Sequence, residues 1–308
     1  VHAAVVDPFV WTLMRILTGF SFAGMYIVCE SWLNNKSTNE TRGQMLSLYM
    51  IVSMGGMGIG QMLVGFGGEQ SVTLFLLASV MVSIAVVPIL LTAGSAPEFE
   101  ALERMSMRRL LQVSPLAVIG LGINGVAVSM MFGMGAVYGR SIGMDNTEVG
   151  YFMTAPMLGA LLLQYPVGRL SDRFDRRLVI LSVTIMGGIA AGLATLFGQQ
   201  QFGLLILCTL IYGGALFPSY SLCIAHANDF LTPSQMVAAA SGLVMVNGIG
   251  AVIGSPMAAM AIEYLGVGSF FIMIASVQVL LALFVLFRMT RRAAVPNEAQ
   301  GPFVAIPE

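Results

Sequence analysis

The chain has 308 residues, of which 57% are hydrophobic and only 9% are charged, whereas a soluble domain carries about a quarter charged residues. So few charges exclude a soluble globular surface, and a net charge of −1 without a long basic run argues against a nucleic-acid partner. The sequence therefore predicts an all-α membrane protein, because lipid cannot satisfy an open backbone.

Apolar runs of the length that a helix needs to cross the hydrocarbon core, about 20 residues, follow one another along the chain. We predict nine membrane helices, over 8–33, 43–67, 71–94, 115–139, 148–167, 178–197, 203–224, 235–262 and 267–288. Because this number is odd, the two ends of the chain are expected on opposite sides of the membrane.

The first predicted helix carries a charge at a depth where charges are unfavourable. An arginine at the centre of a membrane helix costs about 2.5–3.5 kcal/mol on insertion scales, and Arg15 lies well inside this helix. Arg15, Tyr26 and Glu30 share one helical face, but Arg15 and Glu30 are about 22 Å apart along the axis and cannot pair. We expect Arg15 to bind an anionic or polar solute group, to control a neighbouring proton site, or to form a structural salt bridge.

Two polar segments divide the chain. Residues 95–114 form the longest polar connection and predict a cytoplasmic linker with a short surface helix. It separates a partial first half of three spans (1–94) from a six-helix half (115–290). Residues 291–308 contain three prolines and no apolar period, so we expect a disordered cytoplasmic tail.

When the connections between spans are assigned alternately to the two sides of the membrane, almost all the positive charges fall on one side. Twelve of the 14 Lys and Arg residues lie on this side, whereas Arg15 lies inside a span and Arg140 lies on the opposite side. The positive-inside rule then places this side, and with it the C-terminus, in the cytoplasm. The group comprises Lys36, Arg42, Arg104, Arg108, Arg109, Arg169, Arg173, Arg176, Arg177, Arg288, Arg291 and Arg292.

Residues 15–60 and 209–254 have a similar pattern: a Gly-containing helix, a cytoplasmic loop, and a Gln-Met start to a Gly-rich helix. This spacing is typical of a duplicated membrane domain.

Catalytic and metal-binding patterns are missing from the sequence. Cys29, Cys208 and Cys223 are isolated in apolar runs, which argues against a disulfide framework or a thiolate metal site. The spans hold no paired carboxylates and no Ser/His arrangement, and the chain has no phosphate-binding loop. We therefore expect neither an enzyme nor a cofactor.

The connection between the fifth and sixth spans carries a recognisable motif, Gly168-Arg169-Leu170-Ser171-Asp172-Arg173-Phe174-Asp175-Arg176-Arg177. It resembles the loop signature of the major facilitator superfamily, in which a glycine, a leucine, a small residue and an aspartate precede arginines. An ordinary positive-inside loop would explain the arginines but not this spacing. One departure is Asp175, where the family usually has a second glycine.

A second resemblance fixes the register of the helices. Arg15-Ile16-Leu17-Thr18-Gly19 looks like the family's fourth-helix signature, with Thr18 in place of glutamine. The resemblance makes the nine spans family helices four to twelve, so we expect an N-terminally truncated chain. Segments such as 164–170 and 271–277 look most like the YcaD-like branch, for which the resemblance implies no settled substrate.

The charges of the loop suggest a latch on the cytoplasmic side. Asp172 can accept hydrogen bonds from the exposed amides at the N-terminus of an adjacent helix. Arg173 or Arg176 can pair with Asp229, and an exposed pair of this kind contributes only about 0–1 kcal/mol. Glu30 is expected to pair with the absent first copy of the loop rather than to carry protons. The proposed gating group is Gly168, Arg169, Asp172, Arg173, Arg176, Arg177, Glu30 and Asp229.

The resemblance also places several spans around a central pathway. Asn124 and Tyr138 share a face of the fourth span, as Tyr212 and Ser219 do on the seventh. Each polar residue alone is more often an interhelical hydrogen bond than a ligand contact, but the set suggests a solute site. The proposed cavity group is Arg15, Tyr26, Asn124, Tyr138, Tyr212, Ser219 and Asn247.

Together these features predict a monomeric, proton-coupled or facilitative secondary transporter of a small organic solute in the inner cell membrane. It would act as a symporter or antiporter, by alternating access between two six-helix halves. The alternatives are a drug or metabolite efflux carrier, a non-transporting membrane sensor and a channel. Efflux is weakened by Gly60-Gln61, which stands where the drug antiporters of the superfamily have Gly-Pro.

Overall fold

The computed structural model describes residues 7–36, 42–63, 72–91, 105–198 and 200–291. Within these ranges the chain forms helices and no strands. The helices are α1 (Pro8–Lys36), α2 (Arg42–Leu63), α3 (Thr73–Leu91), α4 (Met107–Val113), α5 (Pro115–Ser141), α6 (Asn146–Ser171), α7 (Arg176–Phe197), α8 (Phe202–Asn228), α9 (Pro233–Leu265) and α10 (Ser269–Arg291). All except α4 lie at the predicted spans, and α4 lies within the predicted linker.

Five of the described helical segments are both long and apolar enough to cross a membrane: Pro115–Ser141, Arg176–Phe197, Phe202–Asn228, Ala238–Leu265 and Ser269–Arg291. Two apolar segments, Ile51–Leu63 and Thr73–Pro88, are shorter. The helices α1 and α6 have 29 and 26 residues, which at 1.5 Å per residue exceeds the roughly 30 Å of the hydrocarbon core. The predicted all-α membrane bundle is confirmed. Residues 95–104 of the predicted linker and 292–308 of the predicted tail lie outside the described residues.

The chain divides into two compact units, and the first consists of Val1–Met50 and Phe66–Ala101. Within it, the ring of Trp11 on α1 lies edge-on to Phe75 on α3, with 6.3 Å between the ring centroids.

The second unit consists of Ile51–Gly65 and Leu102–Glu308. In it α5 packs against α9, α6 against α8, and α7 against both α8 and α10. Two apolar clusters fill the unit, one around Tyr138, Phe152 and Phe270, the other around Leu121 and Leu222. Large apolar side chains also cover the outside of the unit, as membrane-facing helices require.

The short connections between these helices are closed by capping side chains. Asp145 and Glu148 form a capping box at the start of α6, and Thr232 and Gln235 form one at the start of α9. These caps satisfy backbone N–H groups that the first helical turn leaves without partners. Helix ends near the membrane surface are thereby fixed by residues local in sequence.

Close packing of α5 on α9 depends on glycines from both helices. A Cβ atom at Gly125 would collide with the carbonyl oxygen of Asn247, and one at Gly250 would collide with the carbonyl oxygen of Gly122. Backbone atoms cannot move aside as a flexible side chain can, so any side chain at these positions would push the helices apart. Small residues at helix contacts are the usual means of close approach in membranes.

Candidate functional site

The loop motif forms a tight turn between α6 and α7. Asp175 is the N-cap of α7, with φ −52° and ψ 115°, and its Oδ1 accepts a hydrogen bond from the backbone N–H of Arg177 at 3.0 Å. Among the described residues, positive φ angles occur only at Gly143 and Gly266. The turn therefore needs no glycine at position 175, and the departure from the family pattern supplies a cap instead.

Arg176 carries a buried charge. It lies at the end of the second unit that is predicted to face the cytoplasm. Its side chain is 1% exposed. Nη1 donates to Oδ1 of Asp229 at 2.6 Å and to the carbonyl oxygen of Ala225 at 2.8 Å. Nε donates to Oγ of Ser171 at 3.0 Å, and Nη2 lies 4.0 Å from Oδ1 of Asp172. The guanidinium group thus joins the end of α6, the start of α7 and the end of α8.

The predicted pairing of Arg176 with Asp229 is present, but the expectation of an exposed, weak pair is wrong. Both side chains are 1% exposed. The bonds to Ser171 and Ala225 use donors that would otherwise be buried without partners. Removing one member of a buried pair leaves an uncompensated charge, so its loss is far more costly than that of a surface pair.

Arg177 forms a second ion pair inside the same turn. Its Nε and Nη2 donate to Asp175, with distances of 3.1 Å from Nε to Oδ1 and 2.8 Å from Nη2 to Oδ2. Burial alone would raise the pKa of Asp175, but the hydrogen bonds and charge of Arg177, with a smaller contribution from His226, lower it below its ordinary value of 3.8. Asp175 is therefore ionised at neutral pH.

Asp172, Arg169 and Arg173 of the loop motif lie on the surface. Asp172 is the C-cap of α6, and its side chain is 42% exposed. Arg173 is also exposed, while Gly168 is buried. The exposed Arg169 donates from Nη1 to the hydroxyl of Tyr165 at 3.2 Å. The motif thus has a buried anchor, Arg176, and an exposed acid, Asp172.

Asn124 and Asn247 of the proposed cavity group meet between helices, and we refer to them as the amide pair. Nδ2 of Asn124 on α5 donates to the carbonyl oxygen of Leu216 on α8 at 2.8 Å. Nδ2 of Asn247 on α9 donates to the carbonyl oxygen of Leu121 at 3.0 Å and lies 3.4 Å from Oδ1 of Asn124. The amide pair therefore links α5, α8 and α9.

The structure places the other cavity candidates of the second unit in packed surroundings. Tyr212 is fully buried, and its hydroxyl donates to the carbonyl oxygen of Ala127 at 3.3 Å. Ser219 is buried and donates to the carbonyl oxygen of Ala215 in its own helix at 2.8 Å.

Tyr138 is 2% exposed and belongs to an aromatic cluster. Its ring stacks on Phe270 with 4.7 Å between the centroids, and it lies edge-on to Phe271 at 5.2 Å. The structure therefore does not bring Tyr138 together with the amide pair by any described contact.

The candidates of the first unit are less enclosed. Arg15 is exposed on α1, and Tyr26 is 41% exposed, with its ring 6.5 Å from that of Phe22. Glu30 belongs to α1, but its side chain lies outside the described residues.

Several polar contacts between helices were not anticipated from the sequence. The hydroxyls of Ser129 on α5 and Ser255 on α9 are 2.6 Å apart, and Ser255 also donates to the backbone carbonyl of Ser129 at 2.9 Å. Nε2 of Gln164 on α6 donates to the hydroxyl of Ser221 on α8 at 3.0 Å. Gln278 on α10 is 4% exposed and within hydrogen-bonding reach of Tyr212. Polar residues inside apolar runs were the available signal, but their partners are far away in sequence.

Nothing in the described part of the chain is arranged as a metal site: it contains no group of three or more His, Cys, Asp or Glu residues that could hold an ion.

Comparison with known proteins identifies the same family as the loop motif. The family described as the Major Facilitator Superfamily matches residues 117–307. The chain is similar to an uncharacterized MFS-type transporter YcaD of Escherichia fergusonii, with 28% identity over 291 residues that cover 93% of this chain and 74% of the relative. A protein with the same description from Salmonella typhimurium is 29% identical over 281 residues, which cover 90% of this chain and 72% of the relative.

The family match covers well over half of the chain and includes the loop motif as well as all the helices from α6 to α10. The relatives are described as transporters, not as enzymes. This chain is therefore a multi-pass membrane transport protein that belongs to the major facilitator superfamily.

Proposed function

We propose that the protein is a secondary transporter that moves a small organic solute across the inner cell membrane by alternating access, with its C-terminus in the cytoplasm. The observation that carries the proposal is the buried contact of Arg176 with Asp229 beside the loop motif. It supports the proposal because a carrier needs one end of its helical half to move as a fixed body while the opposite end opens.

In this proposal Arg176 is a positioning residue and Asp172 is the residue that latches. Arg176 ties the ends of three helices together through Ser171, Ala225 and Asp229. Asp172 lies one helical turn before Arg176 and contacts it at 4.0 Å, yet 42% of its side chain is exposed, so the N-terminal amides of another helix can approach it. A contact that is made in only one state shifts the balance between states without unfolding the protein.

Proton coupling is the second part of the proposal. Glu30 on α1, six residues before the helix end at Lys36, is expected to pair with the first copy of the loop motif, and a proton-carrying role is its alternative. Arg15 on the same helix lies about 22 Å from Glu30 along the axis, so it would hold an anionic or polar solute group or control the charge of a proton site other than Glu30. The first unit would then supply the coupling, while the second unit supplies the latch.

Reconstituted vesicles test both parts. Purified protein is placed in vesicles that contain a pH-sensitive dye, and a panel of uncharged, anionic and cationic small solutes is added outside, with and without an imposed pH gradient. A carried solute is expected to change the internal pH when transport is coupled to protons, and to equilibrate without a pH change when it is not.

Vesicles containing Asp172→Asn protein and vesicles without protein serve as controls. Asp172→Asn is expected to lower the transport rate while the protein remains folded. Transport that is unaffected by this substitution would contradict the latch, and a current too large for stoichiometric carriage would favour a channel.

A further inference from the structure

One polar atom of the amide pair has no hydrogen-bond donor among the described residues. A backbone carbonyl can only accept, so the bond to Leu121 identifies the atom of Asn247 that faces it as Nδ2. The bond to Asn124 uses the same Nδ2. Oδ1 of Asn247 therefore points away from these two partners, and no described residue donates to it.

This oxygen is accessible rather than enclosed in the protein. It is absent from the buried unpartnered side-chain atoms of the described residues, and Asn247 itself is half-buried. Hydrocarbon provides no hydrogen-bond donor, so an amide oxygen turned towards lipid would be left unsatisfied. The favourable position for it is a water-filled passage, in which water or a solute donates to it.

The amide is also held rigidly in place. Asn247 is anchored to a carbonyl of α5, and Asn124 is anchored in turn to the carbonyl of Leu216 on α8. Next to it, Gly125 and Gly250 keep α5 and α9 in backbone contact. An acceptor fixed in this way loses little freedom when a ligand binds, which favours recognition.

Two aromatic rings lie on the helices that Asn124 joins. Phe217 follows Leu216 on α8, and its ring lies edge-on to Phe132 of α5 with 5.9 Å between the centroids. Both rings are partly exposed. They offer a flat ligand an apolar surface on α5 and α8, the two helices that the side chain of Asn124 joins.

The charged side chains of α5, α8 and α9 lie far from the amide pair. On α5 and α9 the described charged residues nearest to the amide pair along the chain are Arg140 and Glu263, each about 24 Å away along its helix axis at 1.5 Å per residue. On α8, Asp229 lies about 20 Å from Leu216 by the same measure. None of these residues reaches the amide pair to balance the charge of a ligand.

From these contacts we infer that the amide pair recognises an uncharged aromatic solute through a neutral N–H or O–H group. The donor binds Oδ1 of Asn247, and the flat part of the solute packs on Phe132 and Phe217. A carboxylate presents only lone pairs to this oxygen and is disfavoured. The inference rests on the proposed transport function, because it assigns a substrate class to the same protein.

Three small probes with one aromatic ring separate the contributions. Phenol has an O–H donor, anisole has the same oxygen methylated, and benzoate is an anion without a donor. Their dissociation constants are measured by ligand-observed NMR titration of the purified protein in lipid nanodiscs. Phenol is expected to bind about fivefold more tightly than anisole, the ratio that one neutral hydrogen bond provides, and benzoate no more tightly than anisole.

Substitutions at Asn247 locate the effect. Asn247→Leu is expected to abolish the preference for phenol and to retain anisole binding. Asn247→Gln keeps both the amide donor and the acceptor oxygen and is expected to retain the preference, which provides a second variant if the leucine variant does not fold. Ser276→Ala is the matched control, because this exposed hydroxyl bonds only to the carbonyl of Ile272 in its own helix.

Equal affinities for phenol and anisole, tightest binding of benzoate, or no binding of any probe would each overturn the inference. Binding in nanodiscs requires no transport. Loss of the preference for phenol over anisole would therefore overturn this inference without affecting the vesicle experiment. Absence of transport with that preference intact would count against the transport proposal alone.

Discussion

The side chain of Arg176 is 1% exposed and donates hydrogen bonds to acceptors at the ends of α6 and α8. Asp229, Ala225 and Ser171 each accept from it at 3.0 Å or less. Burial of a guanidinium group is tolerated only when its charge and its donors are all satisfied. Asp172, one turn earlier, lies 4.0 Å from Nη2 of Arg176 but keeps 42% of its side chain exposed, so the two acids near Arg176 differ in burial.

Asp229→Asn should therefore destabilise the protein much more than Asp172→Asn. The first leaves a buried charge without its counter-charge, a loss of about 3–5 kcal/mol. The second removes a surface acid and costs about 0–1 kcal/mol. Thermal unfolding in detergent measures both, and equal midpoints for the two variants would show that Arg176 does not depend on Asp229.

The stabilising effect of Asp175 should depend on pH. Its folded-state pKa is lowered, so its contribution is fully present above the ordinary value of 3.8 and is lost as the pH falls through the folded-state value. Asparagine also caps helices, so Asp175→Asn removes the charge but keeps the cap.

The stability difference between wild type and Asp175→Asn should be constant from about pH 5 to 8 and should shrink below the ordinary pKa. Unfolding midpoints from about pH 8 down to about pH 3, in a detergent without titratable groups, provide the check. A difference that grows on acidification would contradict the direction of the pKa shift.

At the scale of the helices, the contact of α5 with α9 depends on backbone proximity. Gly250 faces the carbonyl oxygen of Gly122, whereas Gly248, on the same helix, has no described heavy atom within 4 Å of an added Cβ. Close helix packing therefore requires a glycine at position 250 but not at position 248. The hydrogen bonds of Ser129 with Ser255 join the same two helices.

Gly250→Ala should lower the unfolding midpoint, because its methyl group would force the two helices apart. Gly248→Ala should leave it unchanged or raise it, since alanine is favoured over glycine in a helix by about 1 kcal/mol. Thermal unfolding of both variants measures the contrast. Tolerance of alanine at both positions would mean that α5 and α9 can separate at little cost.

At the scale of the whole molecule, the orientation in the membrane follows from the positive charges. The α6–α7 turn carries the arginines of the loop motif, and the α5–α6 connection carries Arg140 alone. Ser141, at the end of α5, and Phe174, in the α6–α7 turn, are both exposed, so cysteines placed there report the two sides.

In intact cells a membrane-impermeant maleimide should label Ser141→Cys but not Phe174→Cys. Phe174→Cys should react only after the cells are permeabilised. The background carries Cys29→Ser, since Cys208 and Cys223 are buried. The reverse labelling pattern would place the loop motif outside and would refute the predicted orientation.

The sequence by itself determined the membrane class, the order of the helices and the family, because these depend on the lengths of apolar runs and on one local motif. It also indicated Asp229 as the partner of Arg173 or Arg176, since all three were expected at the same end of their helices. Only the tertiary structure shows that Arg176 and Asp229 are buried. Their burial depends on helix packing, which brings Ser171 and Ala225 against Arg176 as further hydrogen-bond acceptors.

The same distinction applies to the proposed cavity. Helical periodicity put Asn124 and Tyr138 on one face, but packing placed Asn124 against Asn247 and Tyr138 against Phe270. The partners of a polar side chain inside a membrane lie on other helices, more than a hundred residues away in the case of Asn124 and Asn247. Periodicity within one helix carries no information about which neighbour will face it, and only the packing of the helices decides this.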